Sequence, residues 1–361
     1  MENELIRLAA DLVRIDSRSH LSNIPVAERI EAELEGFEIE RLDYVDPAGV
    51  PKRALVAHRG GPGGMALSGH MDTVPCTGWT DDPWSGAIRD GVLHGLGSVD
   101  MKAAVAACIM AAKTSPRATL LITTDEETTK RGAYLIAEKS ALARRAALSG
   151  IVVAEPTSLT PVRGHRAHIA LTATAEGVQA HSATGRGLNA NWALIPFLVE
   201  VRAMFERLRH DSGLQDTAYD PVFSDFNLVV DNHGTAKNVT VAKATAYIKF
   251  RYSHRIDPTP VLEAMRAAAR ANGLTLEESH EGHPPELPME HPLIQRAMAV
   301  TGKSATTAPY GTDASQLQVL APCVVLGPGS IDTAHTPREC IALDQLAQAV
   351  PIFQKLLQEN F

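Results

Sequence analysis

The sequence lacks long hydrophobic runs, blocks of basic residues and closely spaced cysteine pairs. No apolar run approaches the roughly 20 residues that a membrane-spanning helix needs, so we expect no membrane partner. The formal net charge of −8 and the lack of a Lys/Arg cluster argue against a nucleic-acid partner, because nucleic-acid-binding proteins present a basic surface to phosphates.

Cysteine usage indicates the redox environment of the protein. The 4 cysteines, Cys76, Cys108, Cys323 and Cys340, are scattered and include no CxxC pair. This pattern is typical of free thiols in a reducing compartment, and it is unlike a zinc knuckle or a disulfide framework. The first residues, MENELIR, are too charged for a signal peptide. We therefore expect a cytoplasmic protein.

Outside the middle of the chain, hydrophobic patterning predicts alternating strands and helices. With 361 residues and 45% hydrophobic content, the chain can bury a sizeable core. The predicted strands are 37–42, 53–58, 65–68, 119–124, 150–154 and 323–326. The predicted helices are 2–14, 25–35, 101–112, 131–146, 291–301 and a segment from about 343. This alternation predicts an α/β fold, with a mostly parallel sheet and helices on both faces.

The pattern changes between residues 163 and 282. Strands are predicted at about 169–175, 226–230 and 240–252 and from Leu274, with helices at about 189–209 and before Gly273. The order β-α-β-β-α-β is that of a ferredoxin-like α+β domain. Because α/β patterning resumes afterwards, we expect residues 163–282 to be an inserted domain. Residues 1–162 and 283–361 would then form the main domain.

Candidate ligands recur where predicted strands end. In open α/β sheets, ligands bind outside the carboxyl ends of the strands, so side chains there share one edge of the molecule. A histidine beside a carboxylate in that position suits a metal ligand and the group that orients it. Each residue alone would most often be a solvated loop residue, but their coincidence favours a common site. The residues are His70 and Asp72, Glu126 and Glu127, Glu155, and His335.

Asp100 follows a glycine-rich turn and precedes an apolar helix. It is a candidate for the same site, although it could cap the helix instead. The turn itself, GLGS at 95–98, leaves a nucleotide-binding protein open as an alternative. That signal is weak, because no acidic ribose partner follows a second strand. A metal-binding regulatory module without catalysis is a further alternative.

Several short blocks together resemble a known enzyme family. They are SGHMDTVP at 68–75, GLGSVDMK at 95–102, TDEE at 124–127, EPT at 155–157, AHS at 180–182, GTD at 311–313, and GPG at 327–329 with AHT at 334–336. Over nearly its whole length, the sequence resembles the dinuclear-zinc family of acetylornithine deacetylase, succinyl-diaminopimelate desuccinylase, glutamate-releasing carboxypeptidase and aminoacylase. This resemblance implies a zinc-peptidase-like catalytic domain, formed by 1–162 and 283–361, and makes 163–282 a lid and dimerisation domain.

The resemblance implies two zinc ions per chain, with cobalt as an alternative metal. One ion would take His70, Asp100 and Glu155, and the other would take Asp100, Glu127 and His335. A bridging ligand must be a carboxylate, because only a carboxylate offers two anionic oxygens. Histidine and carboxylate ligands without thiolates are typical of an open, catalytic metal site.

The resemblance also implies catalytic roles. Asp72 would orient His70, and Glu126 would be the general base rather than a ligand. The intact Glu126 therefore speaks against a regulatory module without catalysis. His181 would donate to the oxyanion and, as in dimeric relatives, would reach the active site of the partner subunit in a homodimer. The peptide bond within Asp100–Met101 would be cis.

Substrate recognition is likewise implied by the resemblance. Arg251, which could otherwise be an ordinary surface arginine, would fork onto the substrate's carboxylate, with Asn238, Gly311 and Thr312 as its neighbours in the pocket. The expected activity is release of an amino acid from an N-acyl amino acid, first of the ornithine or citrulline kind, as in arginine biosynthesis. The alternative is a dipeptidase or carboxypeptidase. Glu155 favours deacylases and carboxypeptidases, because aminopeptidase relatives tend to carry Asp at this position.

Overall fold

The structure is a computed structural model that describes residues 2–358. The predicted domain limits at residues 1 and 361 lie outside these residues. The chain divides into two compact units. One contains the chain up to Gly164, Pro285–Thr307 and the chain from Thr312 onward, and the other contains His165–Pro284 with Ala308–Gly311. The limits of the second unit differ by a few residues from the expected 163–282, and the segment Ala308–Gly311 is an unexpected addition to it.

Within residues 2–358 the strands form three sheets. In chain order the strands are β1 Glu38–Val45, β2 Pro51–Arg59, β3 Met65–His70, β4 Ala87–Arg89, β5 Val92–His94, β6 Ala118–Thr123, β7 Gly150–Val153, β8 Val162–His165, β9 Ala167–Glu176, β10 Asp225–Asp231, β11 Lys243–Tyr252, β12 Thr275–His280, β13 Thr306–Ala308, β14 Cys323–Val325 and β15 Cys340–Ala342.

The helices occupy most of the remaining regular structure. In chain order they are α1 Glu2–Val13, α2 Ile24–Glu31, α3 Lys102–Thr114, α4 Arg131–Lys139, α5 Ala141–Ala146, α6 Asn191–His210, α7 Thr259–Ala271, α8 Pro292–Thr301, α9 Ala314–Leu317 and α10 Leu343–Leu357. In the described part of the chain, none of them combines the length and the hydropathy that crossing a membrane requires.

The largest sheet has the strand order β1-β2-β6-β3-β7-β14-β8-β13. Its four central strands, β6, β3, β7 and β14, run parallel, and the pairs β1–β2, β2–β6 and β14–β8 are antiparallel. Every residue of β3, β6, β7 and β14 is buried, so both faces of the sheet are covered at its centre. Burial on both faces explains why these strands are continuous apolar runs in the sequence. The expected α/β fold class is confirmed.

Helix α3 lies at the centre of the main core. Its residues from Lys102 to Ala112 are all buried, because it packs on β3 and is covered by α1 and α10. Small alanine side chains allow this close packing on several sides. The amino end of α3 follows directly after Asp100, so burial of the helix also fixes the position of that carboxylate.

The second unit contains a four-stranded antiparallel sheet in the order β10-β11-β9-β12. Its fourth strand in chain order lies beside its first, its third follows, and its second is at the edge, which is the ferredoxin-like arrangement. Buried and half-buried residues alternate along β9, so one face of the sheet packs against α6 and α7. This unit therefore has a hydrophobic core of its own.

Some local features differ from what the sequence predicted. The predicted helix 131–146 is two helices, because Ser140 has an extended ψ of 116° and its Oγ accepts the N–H of Ala143 at 2.9 Å, which caps α5. The three-stranded sheet β15-β5-β4 was not predicted. Its strands are short, and segments of that length carry no usable alternation.

Candidate metal centre

The topology brings the predicted ligands to one edge of the large sheet. Strands β6, β3, β7 and β14 are parallel neighbours, so their carboxyl ends lie side by side. At or just beyond these ends lie, in this order, the pair Glu126 and Glu127, the pair His70 (the last residue of β3) and Asp72, then Glu155, then His335. Strand pairing thus explains how residues far apart in the sequence come together.

The first cluster consists of His70, Asp100 and Glu155, which are all buried. His70 Nε2 lies 3.0 Å from Asp100 Oδ1 and 3.9 Å from Glu155 Oε2. One ligand atom from each residue lies within 4.8 Å of the others. The set matches the ligands expected for the first ion.

The second cluster consists of Asp100, Glu127 and His335. His335 Nε2 lies 3.1 Å from Asp100 Oδ2 and 3.0 Å from Glu127 Oε1. Asp100 therefore turns one oxygen toward His70 and the other toward His335. This is the arrangement that a bridging carboxylate requires. His335 is the most accessible of these candidate ligands, with its side chain 51% exposed.

Both clusters fit divalent cations. A tetrahedral ion with ligand atoms at about 2.0–2.2 Å separates those atoms by roughly 3.3 Å, and the histidine–carboxylate distances of 3.0–3.9 Å lie around this value. Three mostly buried carboxylates share the site, and such a concentration of negative charge needs nearby positive charge. Imidazole and carboxylate ligands without thiolate suit a catalytic rather than a structural zinc ion.

The shifted pKa values of the clustered residues reflect this crowding of buried carboxylates. Burial, and then the charge of Asp100, raises the pKa of Glu155 to about 8 and that of Glu127 above its ordinary value. Burial alone would raise the pKa of Asp100, but hydrogen bonds from His335 and His70 outweigh it and lower that pKa. Hydrogen bonds to Asp100 and Glu127 raise the pKa of His335 to about 10. Cations and protons compete for these ligand atoms.

Asp72 holds together the segments that surround the centre. His70 Nδ1 donates to the backbone carbonyl of Asp72 at 2.9 Å, whereas the nearest carboxylate oxygen is 3.7 Å away. The orienting hydrogen bond therefore goes to the main chain rather than to the side chain. The carboxylate instead accepts Ser19 Oγ at 2.7 Å and the backbone N–H groups of Glu126 at 3.1 Å and Glu127 at 3.4 Å.

The segment that contains Asp100 is anchored by a residue that the sequence did not reveal. Glu339 Oε1 accepts the backbone N–H groups of Gly97 at 2.8 Å, Val99 at 3.1 Å and Asp100 at 3.1 Å. Burial, then the charge of Asp100, raises the pKa of Glu339 to about 8, although these hydrogen bonds oppose the rise. The peptide bond within Asp100–Met101 is cis, as expected.

Two glycines permit the close contacts on which this loop and its neighbour depend. Gly97 has φ +82°, and a Cβ there would lie 2.4 Å from the side chain of Lys102. A Cβ at Gly327 would lie 2.2 Å from the carbonyl oxygen of Ala154, next to Glu155. Residues larger than glycine would push these segments away from the ligands.

Further buried polar residues near the centre were also not predicted. Lys102 is buried and donates to the carbonyl of Ile15 at 2.8 Å, and burial lowers its pKa to about 7. Lys130 donates to Glu126 Oε1. Asp313 is buried, accepts Thr123 Oγ1, and has its pKa raised by burial. Lys102 and Asp313 lie inside the short blocks 95–102 and 311–313 that resemble the family, so the sequence could have indicated them. Lys130 and Glu339 lie outside such blocks.

The predicted catalytic residue His181 and the predicted substrate-binding residues fall into different units. His181, Asn238, Arg251 and Gly311 belong to the unit built around His165–Pro284, and Thr312 belongs to the other. His181 and Asn238 are exposed and lie close together, because Ser182 N–H donates to the carbonyl of Asn238 at 3.1 Å.

The remaining members of this group have well-defined surroundings. Arg251 is partly exposed and pairs with Asp225 Oδ2 at 2.7 Å. Gly311 lies against Glu281, whose Oε1 would be 2.8 Å from a Cβ at this position. Thr312 is buried and its Oγ1 accepts the N–H of Ala314 at 3.1 Å. Arg251 and Gly311 therefore each have a carboxylate close by within their unit.

Comparison with known proteins identifies the family. The sequence model of Peptidase family M20/M25/M40 matches residues 66–359. Acetylornithine deacetylase from Proteus mirabilis (strain HI4320) is 32% identical over 373 residues, which cover 96% of this chain and 92% of that protein. Acetylornithine deacetylase from Erwinia tasmaniensis is 34% identical over 307 residues, which cover 78% of this chain and 76% of that protein.

A solved structure shows the same fold. An M20 family metallo-carboxypeptidase from Sulfolobus solfataricus superimposes with a TM-score of 0.76 at 15% identity, covering 98% of both chains. The fold, the two ligand clusters and the relatives together define a metal-dependent amidohydrolase. The chain belongs to Peptidase family M20/M25/M40. The resemblance inferred from the short sequence blocks is thus confirmed.

Proposed function

We propose that the protein is a dinuclear-zinc deacylase that releases an amino acid from an N-acyl amino acid, with N-acetylornithine as the first candidate substrate. The observation that carries this proposal is the pair of ligand clusters that share Asp100, with Glu126 next to the ligand Glu127. The acetylornithine deacetylases that match most of the chain support this substrate class. The unit that holds both clusters would be the catalytic domain.

In the proposed reaction Glu126 is the general base. It accepts a proton from the attacking water, whose oxygen forms a bond to the amide carbonyl carbon. When the C–N bond breaks, Glu126 returns this proton to the leaving amine, so that a carboxylate and an amine are released. Two bound zinc ions would supply Lewis acidity, which lowers the pKa of water and polarises the carbonyl. The hydrogen bond from Glu126 N–H to Asp72 supports this role, because it fixes the backbone of the base.

Recognition of the amino-acid carboxylate would depend on Arg251. Its guanidinium carries five N–H donors, and its contact with Asp225 uses one of the terminal nitrogens. The side chain is 33% exposed, so it remains accessible to a ligand. Asn238, Gly311 and Thr312 are proposed as further substrate-binding residues.

We also propose that the protein acts as a homodimer, paired through the insertion, which would serve as lid and dimerisation domain. Strand β10 is at the edge of its sheet, and Leu228, Val229 and Val230 are exposed along it. On α6, Trp192 is 71% exposed and Val199 is 60% exposed. An exposed apolar edge strand is stabilised by pairing with a second copy of itself. His181 would then act in the active site of the partner subunit.

The free cysteines support a cytoplasmic location.

A dipeptidase or carboxypeptidase is the second candidate function, because the matching family is described as a peptidase family. Deacylases and peptidases both cleave an amide bond next to a free carboxylate or amine. The same catalytic residues would therefore serve either reaction, and the substrate pocket would decide between them.

A hydrolysis screen tests the proposal. Zinc-loaded protein would be assayed with N-acetyl-L-ornithine, with other N-acetyl, N-succinyl and N-formyl amino acids, with dipeptides and with a glutamate conjugate. We expect the highest kcat/KM for N-acetyl amino acids. Faster cleavage of dipeptides would favour the second candidate. A metal-loaded protein that hydrolyses none of these compounds would contradict both.

A further inference from the structure

The side chain of Glu126 has an ionic partner within its own loop. Lys130 Nζ donates to Glu126 Oε1, four residues earlier in the chain. The side chains of Lys130 and Glu126 are only 8% and 9% exposed. A cation is therefore held against the carboxylate of the proposed base, in a region from which water is largely excluded.

The backbone of this loop is fixed independently of that ion pair. Lys130 has a left-handed conformation, with φ 52° and ψ 27°, and its N–H donates to the carbonyl of Asp125 at 2.6 Å. The side chain of Asp125 accepts Lys52 Nζ at 2.8 Å and Tyr44 Oη–H at 2.6 Å. These contacts hold the loop without involving the side chain of Glu126.

Burial of a lysine has an energetic disadvantage that pairing seldom overcomes. The ammonium of Lys130 acts on further carboxylates at the centre, because its charge lowers the pKa of Glu155 and of Asp313 against the larger effect of burial. A buried ion pair contributes little to stability on average. Its location beside the metal ligands therefore indicates a role in function rather than in folding.

We propose that Lys130 is a positioning residue that holds the carboxylate of Glu126 in the orientation needed for proton transfer. This inference depends on the proposed role of Glu126 as the base. A glutamate side chain has three rotatable bonds, and a base works only within hydrogen-bond distance of the proton that it takes. Lys130 limits the carboxylate to one of the available positions.

Kinetics of Lys130→Met and Lys130→Arg test this role. Methionine keeps the length and the apolar stem of lysine but removes the charge, so kcat should fall about 10- to 100-fold while KM changes less than about threefold. Arginine can restore the ion pair, so Lys130→Arg should recover kcat to within about fivefold of wild type. A Lys130→Met enzyme with a kcat within about twofold of wild type would overturn the inference.

Lys113→Met is the matched control. Lys113 pairs with Glu33 Oε2 at 2.8 Å in the last turn of α3, at the opposite end of that helix from Asp100. Lys113→Met removes the same charge through the same substitution as Lys130→Met, and its kcat should equal that of wild type. Zinc content should equal that of wild type in all three variants. Loss of zinc in Lys130→Met alone would assign Lys130 to metal binding and would overturn the positioning role.

A structural measurement makes the test independent of any substrate. In crystal structures of the zinc-loaded proteins, the carboxylate of Glu126 should have one position in wild type and several, or a different one, in Lys130→Met. The same single position in both proteins would contradict the inference.

The Glu126→Gln variant separates the two proposals. If it retains activity, the assignment of the base fails; if it is inactive while Lys130→Met is fully active, only the role of Lys130 fails.

Discussion

Glu339 Oε1 lies 3.1 Å from the backbone nitrogen of Asp100 and accepts its hydrogen, although 239 residues separate the two in the chain. The same oxygen accepts two further N–H groups of the loop before α3. One buried carboxylate thus fixes the main chain of the residue that both ligand clusters share. The geometry of the metal centre depends on this contact as well as on the ligands themselves.

Removal of this anchor should weaken metal binding without removing a ligand. In Glu339→Ala the three N–H groups lose their acceptor, so we expect zinc affinity to fall about 10- to 100-fold. Glu339→Gln keeps an acceptor oxygen and should lose much less. Competition with a chelator of known affinity measures the effect. Equal affinities of Glu339→Ala and wild type would show that the loop holds its shape without Glu339.

The ligand clusters predict how metal content depends on single residues. His70→Ala and His335→Ala should each reduce bound zinc from about two ions to about one, because each histidine belongs to a single cluster. Asp100→Ala should weaken both sites. Elemental analysis after gel filtration measures the ratio. His210→Ala, at an exposed position on α6, is the control. Retention of both ions in Asp100→Ala would contradict the bridging role.

Glu126→Gln should retain both metal ions and lose turnover by several orders of magnitude. Glutamine has nearly the shape of glutamate but cannot take a proton from water. Glu138→Gln, the same substitution at an exposed position of α4, should leave kcat unchanged. Steady-state kinetics with N-acetyl-L-ornithine measures both. A Glu126→Gln enzyme within about tenfold of wild type would assign the base to another residue.

Arg251→Ala should raise KM strongly for substrates with a free α-carboxylate. The effect should be much smaller for the corresponding methyl esters, which lack the anion that Arg251 would bind. Arg270→Ala, an exposed arginine in the last turn of α7, controls for loss of charge in the same unit. Equal losses for acid and ester would indicate that the pair with Asp225 is structural.

The dimer proposal predicts complementation between two inactive variants. His181→Ala and Glu126→Gln should each be nearly inactive alone. In a hybrid dimer, one site has an intact Glu126 and receives an intact His181, whereas the other site lacks both. Subunit exchange should therefore restore up to about a quarter of wild-type activity, because half of the dimers are hybrid and half of their sites work. No recovery after verified exchange, or a protein that remains monomeric at the assay concentration, would contradict action in trans.

The outline of the fold could be predicted from the sequence because its central strands are buried on both faces. Met65–His70 and Ala118–Thr123 consist mostly of apolar residues, and burial requires such runs. The small sheet could not be predicted, because strands as short as Val92–His94 contain too few residues for a pattern. The break at Ser140 was missed for another reason. A serine within a helical pattern does not by itself predict the end of a helix, because the hydrogen bond that its side chain makes is not visible in the sequence.

Most of the candidate ligands were predictable because His70, Glu127, Glu155 and His335 lie at or beyond the ends of apolar strands, and the rule for parallel sheets places those ends together. Asp100, which follows a glycine-rich turn, was assigned as a ligand only through the resemblance of its block to the family. The residues that support the ligands were not predictable. Glu339 is 242 residues from Gly97, the first amide that it binds, and nothing in either segment indicates the other. The orientation of His70 shows a similar limit. The sequence indicated Asp72 as its partner, but only the folded structure shows that the hydrogen bond goes to the carbonyl at 2.9 Å and not to the carboxylate.

The segment that contains His335 and Glu339 has a consequence for biosynthesis. Chains are made from the amino terminus, so His70, Asp100, Glu127 and Glu155 leave the ribosome before it does. A nascent chain that ends before residue 335 would hold the complete first cluster, but neither the histidine of the second nor the anchor of Asp100. We therefore expect loading of the two sites to be ordered in time, with the second ion acquired only after this segment has been synthesised and has folded against the loop at Gly97.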